Sequence, residues 1–299
     1  MGPCGPNRSG AGVEGRGATS VLQAIVLGIV QGLTEFAPIS SSGHLILVPW
    51  LFDWTFFLEH PDLNKTFDVA LHIGTFVGAV AYFWRDIARY LAAWVRSVRR
   101  RAVDTTEERL AWCLVIGTIP GVVVGGLADD FVEDHLGDPW LIAVMLAAFG
   151  LLLYVVDRRS PQRLDLEDLR PRGALVVGTA QALALSPGVS RSGVTITAAR
   201  WLGLNRAAAT RFSFLLSLPI IAGAVVFKGI DLVGEGLPPG TAGPFAWGIA
   251  ASAVSGFVVI WGLLAYLRKR DFAVFVFYRL ALCALVLGLI ASGVRPGSV

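Results

Sequence analysis

Gln31-Gly-Leu-Thr-Glu-Phe-Ala-Pro-Ile-Ser-Ser-Ser-Gly-His44 is the stretch on which the fold turns. It sets a carboxylate, three hydroxyls and an imidazole between two oily runs. Polar groups at membrane depth are costly to bury, and they mark functional positions. The surrounding segment, Val21 to Trp50, is interrupted by Gly28, Gly32, Pro38, Gly43 and Pro49. Two short helical pieces joined near Pro38 are therefore expected in place of one rod, and a re-entrant hairpin over residues 20–62 is their natural form.

Composition extends this reading to the whole chain. Of 299 residues 55% are hydrophobic and only 16% charged, with a mean hydropathy of +0.65, too apolar for a soluble domain of this size. The expectation is an all-α polytopic membrane protein. The net charge of +3 resides in short arginine blocks between apolar runs, where it orients the chain in a bilayer, so nucleic acid is not a partner and membrane lipids are. Cys4, Cys113 and Cys283 are too far apart for a disulfide framework or a metal site. Residues 1–18, rich in Gly and Pro, read as a disordered tail and not a signal peptide, ahead of one membrane domain over 19–299.

Six spans of about the length that crosses a bilayer are predicted near 66–84, 110–128, 139–156, 207–228, 245–267 and 272–293. A second broken segment, 173–203, contains Pro187, Gly188 and Gly193. The links holding Arg85 to Arg109, Arg158 to Arg172 and Arg268 to Arg270 are cationic and assigned to the cytoplasm. Those holding Asp129 to Asp138, and Asp231 with Glu235, lack Lys and Arg and are assigned outside. That alternation requires both broken segments to dip in and return, from opposite faces.

The chain also repeats. A shift of 150 places sets Gln31, Leu33, Ser40, Ser42 and Gly43 on Gln181, Leu183, Ser190, Ser192 and Gly193; shifts of 145 and 135 relate parts of the later spans. The halves, about 20–156 and 173–293, run in opposite directions, an inverted-topology repeat that brings broken helices together near the midplane.

The second broken segment reads Ser186-Pro-Gly-Val-Ser-Arg-Ser-Gly-Val-Thr195. A helix starting near Ser190 aims free N–H groups at an anion, Arg191 adds a bidentate fork, and small residues let a phosphate approach; Ser190, Ser192 and Thr195 are candidate substrate contacts. In the first segment Gln31 and Glu35 share a helix face, and Ser40, Ser41, Ser42 and His44 lie beyond the turn. A carboxylate beside a diphosphate is repelled unless it is protonated or a divalent cation intervenes, so Glu35 reads as a metal ligand or a general acid/base. His44 can move a proton near neutral pH, and the nucleophile is a serine hydroxyl, His44 or a water. Asp68, His72, Arg211 and Arg279 read as interhelical pairing groups, and Arg200 and Arg206 as anchors of the second hairpin. His60 and His135 fall in outer links and read as solvated.

On Gln31-Gly-Leu-Thr-Glu35, Ser40-Ser-Ser-Gly-His44 and Pro187-Gly-Val-Ser-Arg-Ser-Gly-Val-Thr195, the sequence resembles the undecaprenyl-diphosphate phosphatase family, the bacitracin-resistance type of membrane phosphatase. The resemblance runs from about 20 to 293. It implies hydrolysis of undecaprenyl diphosphate to the monophosphate and inorganic phosphate at the outer face of the bacterial inner membrane. It also implies dependence on a divalent cation, Mg or Ca, with Ser41, His44 and Arg191 at positions the family uses. Gln31 stands where the family takes Glu or Gln, leaving Glu35 as the one acid of that motif. An inverted repeat with broken helices also frames alternating access, so a transporter or flippase of polyprenyl phosphate is the competing reading. A homo-oligomer is compatible with either.

Overall fold

The computed structural model describes residues 21–54, 61–235 and 240–298, with the side chains of 61–62, 128–135 and 227–235 left out. The tail read over 1–18, with Cys4, and His60 lie outside the described residues. So do the side chains of His135, Asp129, Asp130, Glu133, Asp134, Asp231 and Glu235.

The described chain is helical. The order is α1 (Val21–Phe36), α2 (Ser41–Phe52), α3 (Pro61–Arg100), α4 (Thr106–His135), α5 (Pro139–Arg159), α6 (Pro171–Ala182), α7 (Arg191–Trp201), α8 (Arg206–Glu235), α9 (Ala242–Tyr266) and α10 (Ala273–Ala291). Six of these, α3, α4, α5, α8, α9 and α10, are long and apolar enough to cross a membrane, and large hydrophobic side chains such as Leu127, Trp247, Trp261 and Phe277 face outward from them. In lipid such faces need no cover, and helices satisfy their own backbone groups.

Both broken segments form helical hairpins, α1–α2 around Ala37–Ser40 and α6–α7 around Leu183–Ser190. The breaks fall at Pro38 and Pro187-Gly188, where proline withholds an N–H and Gly188 adopts φ 91. Gly28 and Gly32 do not break α1. They are the points where it lies against α9: a methyl group on Gly28 would meet the Gly248 carbonyl and Ala251, and one on Gly32 would meet Ser252 and Ser255. Gly178, the repeat mate of Gly28, meets Gly117 of α4 in the same way. Each hairpin's first helix thus packs on the fourth helix of the other half. Pro49 also sits within α2 without ending it.

The hairpins open at opposite ends of the bundle. Ala24 of α1 and Leu45 and Val48 of α2 pack with Leu63 and Phe67 near the start of α3 and Phe245 near the start of α9. Trp50 donates to the Pro296 carbonyl at 3.1 Å and Arg295 pairs with Asp53 at 2.6 Å, placing the end of α2 beside the chain's last residues. At the other end Gly173, opening α6, lies against Leu202, just past α7. There Asp157 of α5 takes Arg200 at 2.8 Å and Arg206 at 2.8 Å. With three crossings in each half, this arrangement is compatible with an inverted repeat.

Several boundaries differ from expectation: besides the two below, α4 runs to His135 and α8 to Glu235. The helix predicted over 66–84 runs from Pro61 to Arg100, because the arginine-rich stretch after 84 is rich in Arg and Ala and contains no Gly or Pro to stop it. The helix predicted over 110–128 begins at Thr106, where the Thr105 hydroxyl accepts the Glu108 N–H at 3.2 Å and the Glu108 carboxylate accepts the Thr105 N–H at 3.1 Å, a reciprocal cap that the sequence writes as Thr-x-x-Glu.

Candidate active site

Each hairpin turns on a serine with a backbone few L residues adopt. Ser40 has φ 74 and ψ 100, and Ser190 has φ 75 and ψ 112. Positive φ at a non-glycine residue costs about 1–3 kcal/mol and persists where surrounding contacts impose it. Here both hydroxyls accept the third N–H of the helix they open, Ser40 from Gly43 at 3.4 Å and Ser190 from Gly193 at 3.1 Å. The turns also lock to each other. Ser40 Oγ accepts the Gly188 N–H at 3.0 Å, and Ser192 Oγ donates to the Ala37 carbonyl at 2.9 Å. Arg279, fully buried on α10, joins both turns to α5, donating to the carbonyls of Pro38 at 3.2 Å, Gly188 at 2.8 Å, Val189 at 3.1 Å and Leu146 at 2.7 Å. The interhelical pairing expected of Arg279 is thus to carbonyls, whereas Arg211 pairs with the carboxylate of Asp86 at 2.6 Å.

The N-termini of α2 and α7 meet at a polar cavity of about 210 Å³, walled by Glu35, Ser40, Ser41, Ser42, Ser190 and Arg191 of the hairpins and by His72, Gly121, Gln181 and Ile220 of neighbouring helices. Glu35 organises it. One carboxylate oxygen accepts from Arg191 Nη2 at 2.6 Å, and the other from Ser41 Oγ at 2.6 Å and Gln31 Nε2 at 3.0 Å, with His72 Nε2 3.6 Å away. Two helix N-termini and a guanidinium border one cavity, groups that favour an anion, and a carboxylate accepts from a serine hydroxyl there.

The predicted site residues divide accordingly. Glu35, Ser40, Ser41, Ser42, Ser190 and Arg191 come together at the cavity, and Gln31 stands behind Glu35. Ser192 and Thr195 are buried in the framework, Thr195 Oγ1 donating to the Arg191 carbonyl at 2.7 Å and lying 2.7 Å from Ser213 Oγ. His44 is kept away. Its Nδ1 donates to the Ser40 carbonyl at 2.6 Å, which leaves Nε2 to the Tyr278 hydroxyl at 2.7 Å, and the rings stack with centroids 5.6 Å apart. The reason is geometric: His44 lies one turn into α2, on the face turned to α10 and not the face that carries Ser41.

His72 and Gln181 also wall the cavity; the interhelical pairing expected of His72 is to Glu35 of α1, 3.6 Å away. His72 Nδ1 donates to the Asp68 carbonyl at 2.7 Å, so Nε2 is the atom turned toward Glu35. The signal for Gln181 was its register with Gln31 in the repeat. Among the described residues, buried side-chain atoms without a hydrogen-bond partner gather in these hairpins: Gln31 Oε1, Gln181 Nε2 and Oε1, Ser186 Oγ and Arg191 Nη1; only Trp94 Nε1 and Arg109 Nε lie elsewhere.

The family profile described as Bacitracin resistance protein BacA matches residues 24–285. The chain is similar to proteins named undecaprenyl-diphosphatase: 44% identical to that of Pelobacter propionicus over 92% of this chain and 99% of the relative. It is 48% identical to that of Desulforudis audaxviator over 90% and 98%, and 47% identical to that of Geobacter sulfurreducens over 87% and 94%. With both hairpin motifs inside the matched region and their side chains gathered at one cavity, the chain belongs to the bacitracin resistance protein BacA family.

Proposed function

We propose that the chain hydrolyses undecaprenyl diphosphate to undecaprenyl phosphate and inorganic phosphate, at the cavity where α2 and α7 begin. The observation that carries this reading is the pair formed by Glu35 and Arg191 across the two hairpins, 2.6 Å apart, with Ser41 on the second carboxylate oxygen. The diphosphate binds against the two N-termini. Arg191 stays on Glu35 through Nη2 and offers Nη1, which has no other partner, to the transferred phosphoryl group. Ser41 Oγ attacks the terminal phosphorus as Glu35 takes its proton; the bond to the bridging oxygen breaks, and that oxygen leaves with its electron pair on the prenyl phosphate. Water, deprotonated by His72, then attacks the phosphoserine; the bond to Ser41 Oγ breaks, Oγ takes back the proton held by Glu35, and inorganic phosphate leaves. His44 positions the start of α2 through the Ser40 carbonyl.

A divalent cation suits this donor set in one way. Among the described residues no three acidic, His or Cys side chains gather, and a magnesium- or calcium-type ion takes about six or more oxygens. Glu35, among the described residues the one carboxylate that walls the cavity, would hold it together with oxygens of the substrate. Bound so, it would offset the charge of the diphosphate.

The tail has a place as well. Beside the polar cavity lies an apolar groove of about 710 Å³ between α3, α4 and α8, reaching from Phe76 to Trp94 on α3. Gly121 and Ile220 wall the polar cavity while Thr118, Val122 and Pro219 wall the groove, so phosphate and prenyl chain are served by adjacent turns of the same helices. The arginine-rich helix ends, with Arg100, Arg158 and Arg206, gather at the end opposite α2's last turn. By the positive-inside rule that end is cytoplasmic, and the cavity opens to the outer side of the bacterial inner membrane. The named relatives are diphosphatases, which does not favour the transporter reading.

The test is phosphate release from a long-chain prenyl diphosphate by purified protein in detergent, with and without a chelator. Release that stops with chelator while the unfolding temperature stays put is the expected result, because the ion arrives with the substrate. Absence of any release by the untreated protein would overturn the reading.

A further inference from the structure

Gln181 is 4% exposed, lies in the last turn of α6 and walls the polar cavity, yet neither Nε2 nor Oε1 has a hydrogen-bond partner. Its repeat mate Gln31 spends its N–H on Glu35, four residues on; the residue four beyond Gln181 is Leu185, which offers nothing. The neighbouring helix leaves the amide room: a methyl group on Gly121 would stand 2.9 Å from Nε2. An amide buried with both ends unbonded destabilises the protein that carries it, and at the wall of a cavity it is free to bond a ligand. A carboxylate at this place would repel a diphosphate, and a lysine would offer no acceptor.

We infer that Gln181 reads the free end of the substrate: its N–H₂ donates to a non-bridging oxygen of the terminal phosphate, and its carbonyl accepts the P–OH of the same group. The inference rests on the reading of the cavity as a diphosphate site. A terminal phosphate carries both an acceptor oxygen and, in its monoprotonated form, a donor, as the amide requires. A diphosphate esterified at both ends has no P–OH to give. The second hairpin thereby selects phosphate ends that are chemically free, while the first carries Glu35 and Ser41.

The experiment compares the full chain in detergent with Gln181→Leu, using inorganic phosphate as the probe alongside turnover of a prenyl diphosphate. The variant should raise KM and the inhibition constant of inorganic phosphate by about ten-fold while kcat falls less, the loss of a two-point contact. It should also lose the parent's preference for an alkyl phosphate monoester over the methyl diester as competitor. In the absence of phosphate it should unfold at a higher temperature than the parent, since leucine removes an unbonded amide; a structural glutamine would move that temperature down. Unchanged phosphate inhibition, or a fall in kcat alone, overturns the inference. If the parent releases no phosphate from prenyl diphosphate yet is protected by inorganic phosphate through Gln181, the diphosphatase reading fails and the phosphate site stands.

Discussion

At the residue scale, the two histidines near the site have opposite surroundings. His44 spends both ring nitrogens on Ser40 and Tyr278, whereas His72 keeps Nε2 beside Glu35. His72→Gln should lower kcat by about 10²-fold, the range for one proton-transfer group, with KM little changed. Tyr278→Phe, which removes only the hydroxyl behind His44, should cost less than ten-fold. Single-turnover and steady-state phosphate release on both variants decide this, and the reverse order would return the proton to His44. Glu35, Ser41 and Arg191 were legible in sequence because acid, hydroxyl and guanidinium stand in motifs that no apolar span needs. His72 was not, because a histidine four residues from an aspartate on one helix reads equally as a packing pair. Only the fold brings α3 against the end of α1.

At the element scale, the breaks in α1–α2 and α6–α7 follow from Pro38 and Pro187-Gly188, and the start of α7 from Ser190. What tied the turns together was not legible. Arg279 sits in an apolar helix with no acidic residue near it in sequence, and its partners are carbonyls of both broken turns and of α5. Replacing it with leucine strands those carbonyls in a dry interior. Arg279→Leu should destabilise the protein by about 3 kcal/mol or more and lower kcat although it touches no substrate. Chemical unfolding in detergent measures the first, and a stability within about 0.5 kcal/mol of the parent would show that the turns hold themselves.

At the scale of the molecule, loop charge and the repeat predict two hairpins opening at opposite ends, and the contacts at Asp53 and at Asp157 are compatible with that arrangement. The long extension of α3 past the bilayer was missed because arginine-rich sequence marks a membrane boundary without ending a helix. In a background freed of Cys4, Cys113 and Cys283, a cysteine at Asp138 should react with an impermeant thiol reagent on intact cells and one at Arg100 should not. Labelling in the opposite order would invert the chain and move the cavity to the cytoplasmic side. The central claim is that a carboxylate from one hairpin and a guanidinium from the other form a single hydrolytic site. Its most direct test is phosphate release from undecaprenyl diphosphate by Glu35→Gln, which keeps the size of the side chain and removes its charge and basicity. We predict a fall in kcat of about 10³-fold or more in a protein that remains folded, and turnover at the parent rate would contradict the account.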